Sequence, residues 1–382
     1  MENNNKSKII SDTLKMYEYL FNPKKALKKD FTIQFIFNEP EGQFNYFLEI
    51  KNKNVVLKNG LAQTPIYKII TELETFEKIG GGYITGKDAM KSGRFKIKGS
   101  FFKFITLHKK IFSGKKEWYY PQYENIYKND SDEIKKVLVL SSSPRCEKGV
   151  THFMVEKLVD GMKKAGADIE IVFPSKMKIN PCIGCFTCFA TGEKKCIYHE
   201  KDDMNDFINK FENCDLIVWA TPIYFHYCST HMKILMDRLF VGTVPNFEFK
   251  NNKIIHPTQM KWPKYQLLLA GTGFPNFKEF DQIFGCLKLI EGSGKQMKLI
   301  VALRRITSNL LISDSFRNIK KDNIITSLTK AGEEIIKYKK VNKKTKEIFE
   351  QKLFSDEYFM CLGNRSMDKV IKEKKIEFVR AI

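Results

Sequence analysis

Five short, mostly apolar segments between residues 136 and 303 constrain the fold of this chain more than any other feature, and the first of them is apolar throughout after its lysine. A strand that is apolar at every position, instead of every second one, is typical of a sheet buried on both faces. Helical patterns lie between several of the segments, such as the apolar stripe of Met154, Leu158 and Met162 after the first. We therefore predict an α/β fold with a doubly wound parallel sheet and ligands at the carboxyl ends of its strands. The five segments are KVLVL, IEIVF, LIVWA, YQLLLA and KLIVAL.

The first 112 residues follow a different pattern. Alternating apolar residues predict strands in FTIQFIF, YFLEI, VVLKNG and RFKIKG, with a helix over Thr64 to Phe76 and another from Ser100 to Ile111. Consecutive strands of this kind indicate a smaller α+β domain. We predict this domain over residues 1–115, a polar linker over 116–133, and the parallel-sheet domain with a charged helical tail over 134–382.

Composition and charge exclude several classes of protein. The chain has 382 residues, and its 65 basic against 44 acidic residues give a formal net charge of +21. The excess is spread along the chain, and only eight of the basic residues are arginine, so we interpret it as a lysine-rich surface and predict no nucleic-acid partner. The longest apolar runs are too short to cross a bilayer, and the N-terminus lacks a secretory pattern. Cytoplasmic localisation is the expectation.

Three strand ends offer groups that suit one ligand. The loop SSSPRCEKGVT ends at Thr151, where a helix begins, and free N–H groups behind hydroxyls can bind phosphate. An ordinary capped turn is the alternative, because no Walker or dinucleotide glycine pattern is present. After the third strand, Pro222 to Phe225 would suit a flat heteroaromatic ring. The fourth strand ends in Gly271-Thr272-Gly273, whose small residues allow close approach.

Four of the nine cysteines fall within fifteen residues, at Cys182, Cys185, Cys188 and Cys196. Without a secretory signal, this cluster indicates metal or cluster chemistry before disulfides. Thiolates at such a spacing can ligate a [4Fe–4S] cluster. Tetrahedral zinc, and free structural or redox-active thiols, are the alternatives.

Two histidines, His226 and His231, flank the aromatic segment after the third strand. A histidine beside a flat redox-active ring could donate a proton to a quinone-like substrate. Capping, packing or ion pairing is the commoner role of such residues, and we favour it here.

In their order along the chain, SSPR…GVT, PCIGCFTC…C…DDM and TPIYFHYCSTHMKILMDR resemble the NADPH-dependent FMN reductase branch of the flavodoxin-like fold, and within it the iron–sulfur flavoproteins. The resemblance covers about residues 134–365. It implies bound FMN, NAD(P)H as co-substrate, the four cysteines as cluster ligands, and a homo-oligomer. Two positions depart from the family pattern, with Ser142 in place of its usual glycine and Val150 in place of its usual asparagine.

Carried over by position, the resemblance places the FMN phosphate on the first loop and the isoalloxazine ring along the segment after the third strand. It assigns no catalytic residue. Together with the other residues of these strand ends, the predicted cofactor-binding residues are Ser141, Ser143, Arg145, Thr151, Pro222, Ile223, Tyr224, Phe225, Thr272 and Gly273.

The first domain also resembles a known family. From FTIQF to GGGYITGKDAMKSGRFKIKGS it is similar to the sterol-carrier-protein type 2 domain, with matching positions at Gly82, Ala89, Gly93 and Gly99. This resemblance covers about residues 20–112 and implies a small α+β fold with a tunnel for an apolar ligand such as a lipid.

The prediction is therefore an FMN-dependent NAD(P)H oxidoreductase that passes electrons to a quinone, another flavin or an electron-carrier protein. An appended domain would bind an apolar ligand. The alternatives are a non-enzymatic electron carrier, flavodoxin-like or iron–sulfur, and a lipid-binding protein. Neither the physiological acceptor nor the choice between NADH and NADPH follows from the sequence.

Overall fold

The computed structural model describes residues 2–27, 29–81, 83–112, 132–191, 194–250, 253–292, 297–313 and 319–373. The chain divides into two compact units, residues 1–119 and 120–382. Nearly all of the predicted linker, and Gly82 of the sterol-carrier pattern, lie outside the described residues.

The first unit is a five-stranded sheet with helices, in the strand order β3-β2-β1-β4-β5. Its strands are antiparallel except where β1 and β4 pair in parallel, and apolar side chains of β1 and β2 form its core. A helix at its N-terminus, absent from the sequence prediction, buries Ile10 and Leu14 in that core. The elements are α1 Glu2–Leu20, β1 Phe31–Glu39, β2 Gly42–Lys51, β3 Asn54–Asn59, β4 Tyr67–Thr71, α2 Leu73–Gly80, α3 Gly86–Lys91, β5 Phe95–Lys98 and α4 Phe101–Ile111.

The prediction of one helix over Thr64 to Phe76 is wrong. Tyr67–Thr71 is strand β4, paired with both β1 and β5, and only the following segment, from Leu73, is helical. Tyr67, Ile69 and Thr71 are buried while the residues between them are more exposed, which is the period of a strand. Pairing with a strand on each side stabilises the extended conformation of these residues more than their helical spacing favours a helix.

The second unit contains the all-parallel sheet, in the strand order β7-β6-β8-β11-β12. In order of appearance this is 2-1-3-4-5, the flavodoxin-like arrangement, and it confirms the predicted fold class. A two-stranded hairpin, β9 and β10, was not predicted. The elements are β6 Lys136–Ser141, α5 Val150–Lys164, β7 Asp168–Val172, α6 Thr187–Thr191, α7 Met204–Glu212, β8 Leu216–Pro222, α8 Thr230–Arg238, β9 Glu248–Lys250, β10 Lys253–Ile255, β11 Tyr265–Gly271, α9 Asp281–Gly292, β12 Lys298–Arg305, α10 Ile319–Tyr338, α11 Lys343–Glu350 and α12 Asp356–Glu373.

Helices cover both faces of this sheet. On one face, residues of α5 and α10 pack with Val218 and neighbouring strands. On the other, residues of α7, α8 and α9 surround Trp219. Strand β8 is buried from Leu216 to Thr221, which explains why its sequence is continuously apolar. Within the described residues, no helix combines the length and apolarity needed to cross a membrane.

Two glycines allow α5 and α10 to cross in backbone contact. A β-carbon at Gly161 would overlap the carbonyl oxygen of Thr329, and one at Gly332 would overlap that of Leu158. Close approach of this kind requires a residue without a side chain. The contact holds α5, and the loop before it, against the sheet.

We expect the change Gly161→Ala to lower the free energy of unfolding by about 1–3 kcal/mol, because the helices must separate. The matched control is Gly285→Ala, in the middle of α9, where a β-carbon meets nothing within 4 Å. That change should raise stability by about 0.5–1 kcal/mol through helix propensity. Urea denaturation of both variants measures the two changes in the free energy of unfolding. Equal changes would contradict the assigned contact between α5 and α10.

Candidate functional site

Backbone hydrogen bonds join the ends of four strands at the carboxyl edge of the parallel sheet. The N–H and Oγ of Ser142 both donate to the carbonyl oxygen of Ala220, each at 2.9 Å. The N–H of Ile223 donates to the oxygen of Gly271 at 2.8 Å, and that of Thr272 to the oxygen of Arg305 at 2.9 Å. The loops after β6, β8, β11 and β12 are thereby fixed beside the switch point between β6 and β8, where open α/β sheets bind ligands.

The first of these loops is compact and leads into the N-terminus of α5. Ser143 is 3% exposed, and its Oγ accepts from the N–H of Arg145 at 3.3 Å. A β-carbon at Gly149 would overlap the Ser143 hydroxyl, so the loop closes tightly there. Thr151 is buried in the first turn of α5, where backbone N–H groups have no partner within a helix. The predicted phosphate residues therefore surround a helix N-terminus.

A buried histidine supports this loop and was not predicted. The Nδ1 of His152 lies 3.3 Å from the Oγ of Ser141, and its ring packs on Phe173 at 5.0 Å between centroids. A histidine in the first turn of a helix has no distinctive sequence pattern, so only the tertiary structure reveals this contact.

The segment after β8 makes a two-residue reverse turn. Tyr224 and Tyr227 exchange backbone hydrogen bonds of 2.9 and 3.1 Å, which leaves Phe225 and His226 at the corners with φ of 47° and 63°. Two consecutive positive φ values are the signature of a type I′ turn, which favours Asn and Gly. Bulky residues there are strained, and Phe225 is also 98% exposed. Strain of this kind is typical of functional sites.

The loop after β11 presents backbone to the same edge. A β-carbon at Gly271 would lie 2.8 Å from the Cε of Met154 and 3.0 Å from the Oγ of Ser308, so the strand end packs closely against both side chains. Thr272 is buried, its carbonyl accepts from the N–H of Ser308 at 2.8 Å, and its Oγ1 accepts from the N–H of Phe274 at 3.2 Å. Next to it, a β-carbon at Gly273 would lie 3.9 Å from the Oδ1 of Asn309.

Asn309, after β12, is a polar residue that sequence reasoning missed. Its Oδ1 is buried and, in the part of the chain that the structure describes, has no hydrogen-bond partner. A buried acceptor without a donor costs about 1–3 kcal/mol, so Asn309 is a candidate contact for a ligand bound at this edge.

The four cysteines line one cavity of ≈ 440 Å³ on the face covered by α7, α8 and α9. The hydroxyl of Thr187 donates to Cys185 at 3.3 Å and lowers its pKa, whereas burial, and then the neighbouring Cys196, raise the pKa of Cys188. Among the described residues, no three His, Cys, Asp or Glu side chains are arranged around a single metal ion.

A buried ion pair fixes this cysteine loop to the end of α8. Arg238 donates from Nη1 to Oδ2 of Asp202 at 2.6 Å and from Nη2 to Oδ1 at 3.3 Å, and the two side chains are 2% and 1% exposed. Arg238 also donates to the carbonyl of Asn180 at 2.7 Å. Burial alone would raise the pKa of Asp202, but hydrogen bonds from Arg238 and from the N–H of Asn180 and Met204 hold it below its ordinary value.

The cysteine cavity and the Phe225–His226 turn lie at opposite ends of α8. The cavity is lined by Met236 and Asp237 from the last turn, and the turn precedes the first residue, Thr230. From Thr230 to Arg238 the helix advances by eight residues, which corresponds to about 12 Å along its axis. Backbone hydrogen bonds tie the loops that carry the predicted cofactor-binding residues to one edge of the sheet, and the four cysteines line a cavity that contains none of those residues.

Comparisons with known proteins agree with this description of the second unit, whose strand order makes it a flavodoxin-like α/β protein. Residues 135–260 match the family model of NADPH-dependent FMN reductases. An iron–sulfur flavoprotein of Methanocaldococcus jannaschii is 34% identical over 103 residues, 27% of this chain and 51% of that protein. The chain spans about half the length of the curated relatives it matches.

Two solved structures align at low identity. An FMN-dependent NADH-azoreductase from Bacillus anthracis, in complex with FMN, aligns at 12% identity and a TM-score of 0.40, over 53% of this chain and 100% of that one. Sterol Carrier Protein 2 Like 2 from Aedes aegypti aligns at 18% identity and a TM-score of 0.23, over 27% and 95%. The fold assignment rests on the strand order of the sheet.

We expect Arg238→Met to lower the free energy of unfolding by about 3–5 kcal/mol, because the Asp202 carboxylate is left buried without its partner. The control, Lys233→Met, removes a pair with Asp237 on the same helix whose side chains are each 46% exposed, and should cost less than about 1 kcal/mol. The pKa of Asp202 is lower in the folded chain, so its contribution is present at neutral pH and fades as the pH falls below about 4. Urea titrations at pH 7 and at about pH 2.5 test both statements.

The strained turn gives a second prediction. Phe225→Asn should raise the free energy of unfolding by about 1 kcal/mol, because Asn tolerates positive φ and Phe225 loses almost no packing. Phe274→Asn, at a residue 67% exposed that has no positive φ, is the control and should not stabilise the chain. A gain in both variants, measured by thermal unfolding, would show that lower surface hydrophobicity is the cause instead.

Proposed function

We propose that residues 134–382 form an FMN-dependent oxidoreductase that takes hydride from NADH or NADPH. The observation that carries this proposal is the junction of a phosphate-type loop, an aromatic turn and a glycine-containing loop at the switch point of the sheet. The family match over residues 135–260 supports the same function and cofactor. When bound, FMN supplies a ring that accepts a hydride and passes its electrons on.

The residues present fit FMN. The Oδ1 of Asn309 is a buried acceptor that, among the described residues, finds no donor, and it lies behind the backbone of Gly273. The N-terminus of α5, with the Ser143 and Thr151 hydroxyls, offers donors and a positive dipole end to a phosphate. Tyr224 and Phe225, 50% and 98% exposed, offer apolar faces to a flat ring.

Each part of the site has a separate task in this proposal. Loop 142–149 and the first turn of α5 hold the phosphate, together with Ser141, Ser143, Arg145 and Thr151. The segment from Pro222 to Phe225 holds the ring, with Ile223 tied through its N–H to Gly271. The backbone of Thr272 and Gly273 lines the side of the proposed site that lies next to strand β11. Orientation by a fixed scaffold is what the protein contributes to cofactor chemistry.

The four cysteines would hold a [4Fe–4S] cluster. Their thiols open onto one cavity lined also by Trp219, Phe240 and Trp262, and a mostly apolar lining suits a cluster. Thiolates that bind different irons of a cluster lie further apart than the ligands of a single ion. The family relatives named iron–sulfur flavoproteins support this assignment. A protein with both groups could convert a hydride into single electrons for a carrier.

The first unit would present an apolar molecule to the reductase, as its sterol-carrier resemblance implies. One cavity of this unit, ≈ 390 Å³, is instead lined largely by polar side chains, including Ser7, Gln43, Asn45 and Asn59.

A second copy of the chain is the other expected partner. A monomeric mass by light scattering would contradict self-association.

Anaerobic visible spectra of the purified chain test the main proposal. A flavin spectrum that bleaches on addition of NADPH or NADH is the expected result. Flavin bands that do not change on addition of either nucleotide would favour a non-enzymatic electron carrier. Failure to bind FMN would leave the lipid-binding alternative. Broad absorbance beneath the flavin bands, with four irons per chain, would support the cluster, and Cys185→Ser should remove it while FMN is retained.

Thr151→Val should weaken FMN binding about tenfold or more, because a hydrogen bond to a charged phosphate contributes about 1.5–3 kcal/mol. Thr106→Val, at an exposed helical threonine of the first unit, is the control and should leave the Kd unchanged. Quenching of flavin fluorescence measures both. Equal affinity of Thr151→Val and the unaltered chain would remove this hydroxyl from the phosphate site.

A further inference from the structure

His226 occupies one of the two strained corners of the turn after β8. Its φ is 63° and its side chain is 68% exposed, beside the ring of Phe225 at 5.9 Å between centroids. Asn, Asp and Gly are the commonest residues at the corners of a type I′ turn, and His is among the other residues that tolerate positive φ. Packing does not account for the imidazole at this position, because most of the side chain is open to solvent.

A mostly buried carboxylate orients this imidazole. The Nδ1 of His226 lies 2.7 Å from Oε2 of Glu279, whose side chain is 15% exposed. A carboxylate can only accept, so Nδ1 carries the proton of this hydrogen bond and Nε2 is directed away from Glu279. Glu279 belongs to a helical turn, Phe277–Phe280, which Asn276 caps and whose last residue, Phe280, is fully buried. The acceptor is therefore held by rigid structure while the imidazole is open to solvent.

From this geometry we infer that His226 is a catalytic acid for the proposed function, with Glu279 as its positioning residue, and that the acceptor is a quinone. A quinone becomes a hydroquinone by gaining two electrons and two protons. A hydride delivers both electrons and one proton to one carbonyl oxygen, and Nε2 of protonated His226 donates the second proton to the other oxygen. Bulk water then returns a proton to Nε2, which its exposure allows. The inference rests on the proposed function.

The arrangement matches what general acid catalysis requires. Imidazole is a common general acid in enzymes, and a carboxylate on Nδ1 fixes the orientation of the ring. The exposed Tyr224 and Phe225 supply apolar faces beside the acid, which suit the flat ring of a quinone. A carrier that takes single electrons needs no such proton, so an oriented acid at this turn favours an acceptor that gains protons, and the proposal commits to a quinone as that acceptor.

The test compares three reactions of the full-length holoprotein. His226→Asn keeps a residue that tolerates positive φ, and Glu279→Gln keeps the size of the side chain. The first should slow turnover of benzoquinone about 100-fold and the second about tenfold. Both should leave reduction of the flavin by NADPH, and turnover of ferricyanide, within twofold of the unaltered chain, because ferricyanide takes one electron and no proton.

The control is Lys278→Gln, which removes a charge next to Glu279 at an exposed position. It should leave all three rates within twofold. Unchanged benzoquinone turnover in His226→Asn would overturn the inference, and so would an equal loss in all three reactions, which would show that the residue acts on cofactor binding or hydride entry. A chain that never reduces bound flavin would overturn the proposed function and the inference with it, whereas normal turnover insensitive to His226 would overturn the inference alone.

A second readout does not depend on turnover. Nitrogen-15 NMR of the His226 ring should show Nδ1 protonated and Nε2 free in the neutral form of the unaltered chain, and a mixture of both forms in Glu279→Gln. A ring protonated at Nε2 in the unaltered chain would overturn the role given to Glu279.

Discussion

Burial of both faces of the parallel sheet is the constraint on which the second unit depends. Strand β8 lies in the centre, and helices on either side cover Val218 and Trp219, which point to opposite faces. In the interior strands of a sheet of this kind, unpaired backbone groups are found only at the strand ends. Because all five strands run the same way, their carboxyl ends meet at one edge, and the loops that follow them must share that edge. The candidate site is a consequence of this arrangement.

The junction between these loops relies on backbone groups more than on side chains. Hydrogen bonds from Ser142, Ile223 and Thr272 each cross to the neighbouring strand end. Arg305 is the last residue of β12 and is fully buried. Its guanidinium donates hydrogen bonds to the carbonyl oxygens of Ile306, Phe349 and Gln351. Burial lowers the pKa of Arg305 to about 10, so the guanidinium stays charged at neutral pH beside the loops proposed to hold an anion.

The two regions of the second unit that could carry redox chemistry use opposite physical strategies. The cysteine loop is held by Asp202 and Arg238, a buried pair in which each charge needs the other. The turn after β8 is held in a conformation that its own residues disfavour, with Phe225 almost fully exposed. The first strategy fixes a loop that has little regular structure of its own. The second exposes an aromatic ring and an imidazole that folding alone would not select.

Sequence patterns by themselves determined the five strands of the parallel sheet, their parallel class and the three loops that meet at one edge, because mostly apolar runs and loop composition are local properties. They did not determine β4, whose residues 67–71 form a strand only because β1 and β5 lie on either side. The partners of His226 and Asp202 are 53 and 36 residues away in the chain. Glu279 and Asn309 sit in segments without a recognisable motif, so only the tertiary structure could bring them to the site. Contacts between distant residues depend on how the strands are ordered, and no local pattern contains that information.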